Sequence, residues 1–154
     1  MSLNYRKATL ADIALMQKLV SPEIESGIIL ERSDNEIATN IRSYRLAFDG
    51  QRLVGFVALH IHTPSLAETR SLVVEETYRG KQVGSKLVTF CLEEAKDLGI
   101  KEVLALTYHR EFFEKLGFTE ISKESLPEHK IWADCIKCKH FPICNEIALI
   151  KQLS

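Results

Sequence analysis

The stretch LAETRSLVVEETYRGKQVGSKLVTFCLEEAKDL, residues 66–98, contains the features that decide the fold. An apolar strand ends at Leu72, Val73 and Val74, and a basic glycine-containing turn follows, Arg79-Gly80-Lys81-Gln82-Val83-Gly84-Ser85. Apolar residues then recur at helical spacing, which predicts a long amphipathic helix. The start of a helix offers unpaired N–H groups and a positive dipole, and glycine permits close approach. With positive charge from Arg79, Lys81 and Lys86, this stretch predicts a binding site for phosphate.

An ordinary strand, turn and helix with a solvated basic turn would show the same local pattern, so a glycine turn alone does not decide between them. The order of strand, turn and helix, however, resembles the acetyl-coenzyme A (acetyl-CoA) motif of the GNAT acetyltransferase superfamily. The family pattern [Q/R]-x-x-G-x-[G/A] maps to Arg79, Gln82 and Gly84. Gln82 stands where the family often has glycine. Because a residue with a helical backbone still offers an N–H, we expect weaker contact there rather than loss of binding.

The composition fits one domain over residues 1–154. The chain is 45% hydrophobic and 27% charged, and its formal net charge is -1. This charge gives no overall electrostatic reason to expect binding to nucleic acid or to an anionic membrane. The apolar runs are too short to span a bilayer, and the N-terminal residues lack an apolar run of signal-peptide type. We therefore expect a cytoplasmic protein with reduced cysteines.

Hydrophobic periodicity predicts an order of elements that gives a mixed sheet with helices on its faces. This order coincides with that of GNAT proteins, so the resemblance implies their α+β fold with a mostly antiparallel sheet. The predicted order is a strand, two helices, three meander strands, a helix, a strand, a helix, a strand, a cysteine-containing loop at about residues 127–145 and a last strand. Pro22 is expected to end the first helix, and Ser33 with Glu36 resembles a capping box for the second. Asp49-Gly50 is typical of a hairpin turn, and Gly99 of a helix C-terminus.

A second motif strengthens the family resemblance. Residues 112–118, FFEKLGF, resemble the F-Y-x-K-L-G-F box of GNAT enzymes. In the family this box follows a strand that splays from its neighbour and admits the pantetheine arm of acetyl-CoA. The resemblance therefore implies that Phe113 lies beside acetyl-CoA, although it replaces the tyrosine that usually serves as general acid.

The resemblance also implies roles in catalysis. Acyl transfer to an amine needs a held thioester carbonyl, a base for the amine and a proton for the leaving thiolate. In the family the strand at residues 72–74 pairs with pantetheine, and a carboxylate on that strand is often the base. Glu68 fits this role, or it is a solvent-facing edge carboxylate. Tyr108 could supply the thiolate proton, or it is a strand-end aromatic with a hydrated hydroxyl, in which case water serves.

Two arginines indicate the acceptor. Arg70 follows Glu68 by two residues, so both side chains point to one face of the strand, where they could contact one small amino acid. Arg32 lies in a loop that covers the acceptor site in this family. Two arginines at one pocket would suit a dicarboxylic amino acid. Alternatively, Arg70 only neutralises Glu68 and Arg32 is solvated.

Several stretches together resemble one GNAT subgroup, the short stand-alone bacterial N-acetylglutamate synthases. The subgroup tail K-x-W-x-x-C-x-x-C-x(5)-C is matched by Lys130, Trp132, Cys135, Cys138 and Cys144. This resemblance implies acetylation of the α-amine of L-glutamate in arginine synthesis. The alternatives are another amine acceptor, such as a polyamine, another amino acid or a protein N-terminus, and a non-catalytic acyl-CoA sensor. A homodimer is expected by analogy with the superfamily.

The cysteine-containing loop has two interpretations. Cys135, Cys138, His140 and Cys144 have a tight spacing that could hold a structural zinc. A reduced loop packed by its apolar side chains, without a metal, is equally consistent with the sequence. His60 and His62 share one strand face, which is more typical of a solvated strand face than of a ligand or metal site.

Overall fold

The protein is described from a computed structural model, over residues 3–122 and 147–153. In this part of the chain the strands are β1 (Asn4–Lys7), β2 (Tyr44–Asp49), β3 (Arg52–Thr63), β4 (Leu66–Val74), β5 (Glu102–Thr107), β6 (Thr119–Ile121) and β7 (Ile147–Gln152). The helices are α1 (Ile13–Glu25), α2 (Asp34–Thr39), α3 (Val83–Leu98) and α4 (Arg110–Lys115).

All these strands join one sheet in the order β1-β2-β3-β4-β5-β7-β6. Only the β4–β5 pair is parallel, and the other neighbours are antiparallel. The predicted mixed, mostly antiparallel α+β sheet is therefore confirmed. Its one parallel pair follows from the long connection through α3, since a parallel pair requires a crossover.

Local signals explain most element ends. Ser33 Oγ accepts from the Glu36 N–H at 3.1 Å, and the Ser33 N–H donates to Glu36 Oε1 at 3.1 Å, which confirms the predicted capping box. Gly50 has φ of 61° in the β2–β3 turn, and Gly99 ends α3 with φ of 87°. Both are left-handed positions, which glycine adopts without a steric penalty.

The expectation that Pro22 ends the first helix is wrong. α1 continues to Glu25 with Pro22 inside it. Proline removes one donor, but its own carbonyl still accepts, here from the Ser26 N–H at 3.1 Å. The last turn of α1 therefore forms beyond the proline.

The sheet is covered on both faces. On one face α3 buries Val83, Leu87, Val88, Cys91 and Ala95 against the strands, so Cys91 is a core residue. Gly55 on β3 permits this contact, because a Cβ there would lie 3.1 Å from the Val73 carbonyl oxygen and 3.2 Å from Leu87 Cδ1. On the other face Met16, Val20 and Ile37, from α1 and α2, pack on β2 and β3.

Candidate active site

A cleft of about 660 Å³ includes the place where β4 and β5 separate. The two strands pair only from Leu66–Glu102 to Thr69–Ala105. Beyond that pair, β4 continues to Val74 and β5 to Thr107 without a common ladder. Main-chain groups on the facing edges are then not used by the sheet, so they are suited to bind an extended ligand. This separation confirms the splayed strands that the family resemblance implies.

The cleft brings most of the predicted site residues together. Those that line it are Arg32, Glu68, Arg70, Leu72, Val73, Val74, Arg79, Gly80, Gln82, Val83, Gly84, Ser85, Tyr108 and Phe113. Lys81 and Lys86 are outside its lining: their ammonium groups lie 5.7 Å from the ring centre of Tyr78 and 5.8 Å from that of Tyr5. Cys135, Cys138, His140 and Cys144 lie outside the described residues.

Arg79 anchors the turn that follows β4. Its Nε donates to the Val74 carbonyl at 3.0 Å, and its Nη2 bonds to Glu23 Oε1 at 2.9 Å. The first bond fixes the turn to the end of β4, and the second ties it to the last part of α1. Sequence reasoning missed Glu23, because no local pattern shows that residues 56 positions apart will meet.

The residue at the start of α3 differs from our expectation. Gln82 has φ of 68° and ψ of 13°, a left-handed conformation rather than the helical one that we expected. Glycine adopts this conformation without the clash of a Cβ, which gives a physical reason for the glycine that the family often has there. Gln82 therefore carries backbone strain at the entry to α3.

The first turn of α3 lies close to its neighbours. A Cβ on Gly84 would be 3.3 Å from Phe112 Cζ and 3.6 Å from Val74 Cγ2. Glycine thus lets the helix start fit between β4 and the residues after β5. A helix N-terminus next to a basic turn suits phosphate, and the gap between β4 and β5 suits an extended thioester arm. These residues fit acetyl-CoA.

A β-bulge bends β4 between Arg70 and the turn at residues 79–85. Ser71 has φ of 56°, and the register shifts there from Ala58–Arg70 to Phe56–Val73. One extra residue on β4 bends the strand and changes the face that later side chains occupy. Serine rarely adopts this conformation and gives no sequence signal for it, so the bulge was not predicted.

Glu68 is buried and held by two donors. The residue is 6% exposed, and its Oε1 lies 2.7 Å from His62 Nε2 and 3.2 Å from Arg70 Nε. Burial alone would raise the pKa of Glu68, but the His62 hydrogen bond and the Arg70 charge outweigh burial and lower it. Glu68 is therefore ionised at neutral pH. Its interpretation as a solvent-facing carboxylate is wrong, and so is that of His62 as part of a solvated face, since the His62 side chain is 4% exposed.

Arg32 and Arg70 approach the same part of the cleft from different elements. The Arg32 carbonyl accepts from Gln17 Nε2 at 2.8 Å, which fixes the loop between α1 and α2 against α1. Burial raises the pKa of Tyr44, and the charges of Arg32 and Arg70 both oppose that rise. Arg32 Nη1 also lies 4.0 Å from Glu36 Oε2. Arg32 and Arg70 thus bring two guanidinium groups to the lining of the cleft that contains Glu68.

The β5 side supplies two aromatic residues. Tyr108 follows β5, lines the cleft and is half-buried. Phe113 also lines the cleft but is 4% exposed and packs edge-on to Phe112 and Phe118, with ring centres 5.0 and 5.2 Å apart. Phe113 is thus an apolar wall and core residue, and of the two only Tyr108 carries a transferable proton.

Comparison with known proteins agrees with this geometry. Residues 12–118 match the acetyltransferase (GNAT) family. The chain belongs to this family. A relative from Chlorobaculum tepidum, named an uncharacterized N-acetyltransferase, is 37% identical over 148 residues, which are 96% of this chain and 95% of the relative. This GNAT chain is therefore an acetyltransferase, and its fold is that of the family.

Two further relatives carry more specific names. The amino-acid acetyltransferase of Vibrio cholerae is 29% identical over 127 residues, which are 81% of this chain and 28% of that protein. The N-acetylglutamate synthase of Neisseria gonorrhoeae, solved with coenzyme A and N-acetyl-glutamate, superposes with a TM-score of 0.88 at 25% identity. The superposition covers 100% of this chain and 36% of that one. This GNAT chain thus spans about a third of these two longer relatives.

Two findings concern the membrane and metal predictions. None of the helices in the described part of the chain is long and apolar enough to cross a membrane. Residues 3–122 and 147–153 contain no group of three or more side chains placed to hold a metal ion. The predicted zinc ligands lie outside these ranges, so zinc stays a prediction, as do the homodimer and the cytoplasmic location.

Proposed function

We propose that the protein transfers the acetyl group of acetyl-CoA to the α-amine of a small amino acid, with L-glutamate as the acceptor and arginine biosynthesis as the pathway. The observation that carries this proposal is the meeting of Arg32, Glu68 and Arg70 in the cleft that the turn after β4 also lines, at residues 79, 80 and 82–85. The names of the Vibrio and Neisseria relatives support an amino-acid acceptor.

The charges of the cleft favour an acidic acceptor. Guanidinium groups bind carboxylates with two parallel hydrogen bonds, and Arg32 and Arg70 provide one such group each. Glutamate has two carboxylates for them and an ammonium group for Glu68. A polyamine has no carboxylate and would meet two like charges, so it is disfavoured.

Glu68 and Tyr108 carry the proton transfers in this proposal. Glu68 takes a proton from the acceptor ammonium, which leaves a neutral amine with a free electron pair. That pair attacks the thioester carbonyl carbon, the C–N bond forms and the C–S bond breaks. The nitrogen loses its second proton to solvent as the amide forms. Tyr108 gives its proton to the leaving thiolate and regains one from solvent, while Glu68 releases the ammonium proton to solvent. Main-chain groups at residues 72–74 hold the carbonyl oxygen.

The test is release of coenzyme A from acetyl-CoA with a panel of amines that includes glutamate, aspartate, glutamine, a polyamine and a peptide. We expect turnover with glutamate, and we expect Arg70→Ala to lose it while acetyl-CoA still binds by calorimetry. Arg70→Lys should recover little, because an ammonium group cannot form the two-bond contact. Arg42→Ala, an exposed arginine outside the cleft, is the matched control.

Two outcomes would contradict the proposal. Turnover with another amine but not with glutamate would overturn the acceptor and the pathway and leave the donor site intact. Binding of acetyl-CoA without turnover on any amine would instead favour a sensor of acyl-CoA.

A further inference from the structure

Glu68 uses one of its two oxygens within the protein. Both described donors, His62 Nε2 and Arg70 Nε, bond to Oε1. Among the hydrogen bonds of the described residues, none engages Oε2. Glu68 lines the cleft and His62 does not. His62 therefore contacts the carboxylate on the side that faces away from the cleft. The carboxylate is thus held by one oxygen and can present the other to a ligand.

Strand register brings His62 to this position. Directly across the β3–β4 pair, Glu68 faces His60, not His62. A register shift between Ile61 and Thr63 moves the end of β3 relative to β4. This shift lets the His62 ring reach the carboxylate, and the His60 ring packs edge-on against it with centres 4.7 Å apart. The ring orientation is therefore fixed by packing as well as by the bond to Glu68.

We propose that His62 is a positioning residue, which holds Oε1 of Glu68 so that Oε2 receives the proton of the acceptor amine. This inference rests on the proposed function of Glu68 and adds a residue that touches neither ligand. In the resting state the Nε2–H of His62 donates to Oε1. During transfer the amine proton moves to Oε2, and the His62 bond persists to the carbonyl-like Oε1, so no further proton moves through His62.

The charges around Glu68 show why the bond matters. The groups that face it are His60 and His62 from β3 and Arg70 from β4, while its β5 neighbour Leu104 is apolar. Arg32 lines the same cleft from the loop after α1. A buried carboxylate that loses a donor becomes harder to ionise. Without His62, Glu68 would therefore hold a proton over a wider pH range and could turn away from the amine.

The experiment compares His62→Phe, which has no donor, with His62→Gln, whose amide can donate. Carbon-13 NMR of protein labelled at the glutamate carboxyl follows Glu68, identified by the signal that disappears in Glu68→Gln. We expect His62→Phe to raise the pKa of Glu68. In His62→Gln we expect the pKa of Glu68 to lie close to that in the wild type. With acetyl-CoA and glutamate, we expect His62→Phe to lower kcat roughly 10- to 100-fold with little change in the KM for acetyl-CoA.

His60→Phe is the matched control, because it keeps a ring against His62 and leaves the Nε2–Oε1 bond in place. Its effect on the Glu68 titration should be smaller than that of His62→Phe. If His62→Phe does not fold, His62→Met supplies the donor-free variant. A purely structural role for His62 would lower thermal stability but leave the Glu68 titration unchanged.

The proposal is overturned if Glu68 titrates at the same pH in the wild type and in the donor-free variant, or if kcat is unchanged. This result differs from failure of the proposed function. A wild-type protein inactive on glutamate would refute that function, while the NMR titration would still decide whether His62 keeps Glu68 ionised. If the wild type acetylates another amine, kcat of the wild type and of the His62 variants is compared with that amine as the acceptor.

Discussion

The two halves of the cleft are built from different parts of the chain. The donor half, at residues 79–85, relies on main-chain groups, glycine and the start of α3. The acceptor half relies on the side chains of Glu68, Arg70 and His62, which strand register brings together. A local motif is sufficient to find the first half. The second half needs the register of β3 and β4, including a bulge, so its chemistry should be more sensitive to single side-chain changes.

Glu68→Gln should have the largest effect. The amide keeps the size of the side chain but cannot accept the amine proton, so we expect kcat to fall about 10²- to 10⁴-fold, the range for loss of a general base. The dissociation constant for acetyl-CoA, measured by calorimetry, should stay the same. A large change in acetyl-CoA affinity would show that the two halves of the cleft are not independent.

The next effect, on stability alone, comes from an ion pair outside the cleft in which only the carboxylate, Asp12, is buried. Arg6 forms a two-bond contact to Asp12 at 2.8 and 2.9 Å, and its hydrogen bonds lower the pKa of Asp12 from 3.8 to about 2 against the opposing effect of burial. A lowered folded-state pKa stabilises the fold above the unfolded-state value and is lost as pH falls. Asp12→Asn should therefore lower the free energy of unfolding by about 2 kcal/mol at pH 7.

Denaturant unfolding at several pH values checks the Asp12 prediction. The difference between wild type and Asp12→Asn should shrink between about pH 4 and about pH 2, because the wild-type carboxyl becomes protonated there. Coenzyme A release at pH 7 should match the wild type. Loss of turnover in a folded Asp12→Asn protein would mean that the chemistry also depends on this ion pair outside the acceptor half.

A substitution in the donor half should change acetyl-CoA use and leave chemistry intact. In Gly84→Ala the new Cβ lies 3.3 Å from the Phe112 ring, so that ring must move by a few tenths of an ångström. We expect the KM for acetyl-CoA to rise up to about tenfold, equivalent to roughly 1.4 kcal/mol, with kcat retained. Glu93→Ala, an exposed position on the same helix and outside the cleft, is the control. A fall in kcat at saturating acetyl-CoA would contradict the division into halves.

The smallest effect concerns Gln82. Its left-handed backbone costs energy that glycine avoids, so Gln82→Gly should be more stable than Gln82→Ala by about 1 kcal/mol. Both variants remove the same side chain, so their difference in melting temperature isolates the backbone. Equal melting temperatures would show that the turn relaxes when the side chain is lost.

The sequence was informative where signals are local. The strand ends, the capping box at Ser33 and the phosphate-type turn all depend on neighbouring residues, and the structure has the strands, the box and the turn–helix geometry in the described ranges. The Pro22 prediction was wrong because a proline blocks one bond without preventing the turn after it. His62, Glu23 and Ser71 could not be found, since their roles depend on which distant residues share a ladder or a turn.

The bulge at Ser71 has a consequence for the parity of β4. In a regular strand, residues of even and odd number occupy opposite faces throughout. Glu68 and Arg70 share the face on which Val73 packs with Phe56, while Val74 packs on the α3 face. The extra residue thus reverses the even–odd rule halfway along the strand. One continuous β4 therefore presents polar groups to the acceptor on one face and then an apolar contact to the start of α3 on the other. Deletion of Ser71 would place the residues after it on the wrong faces.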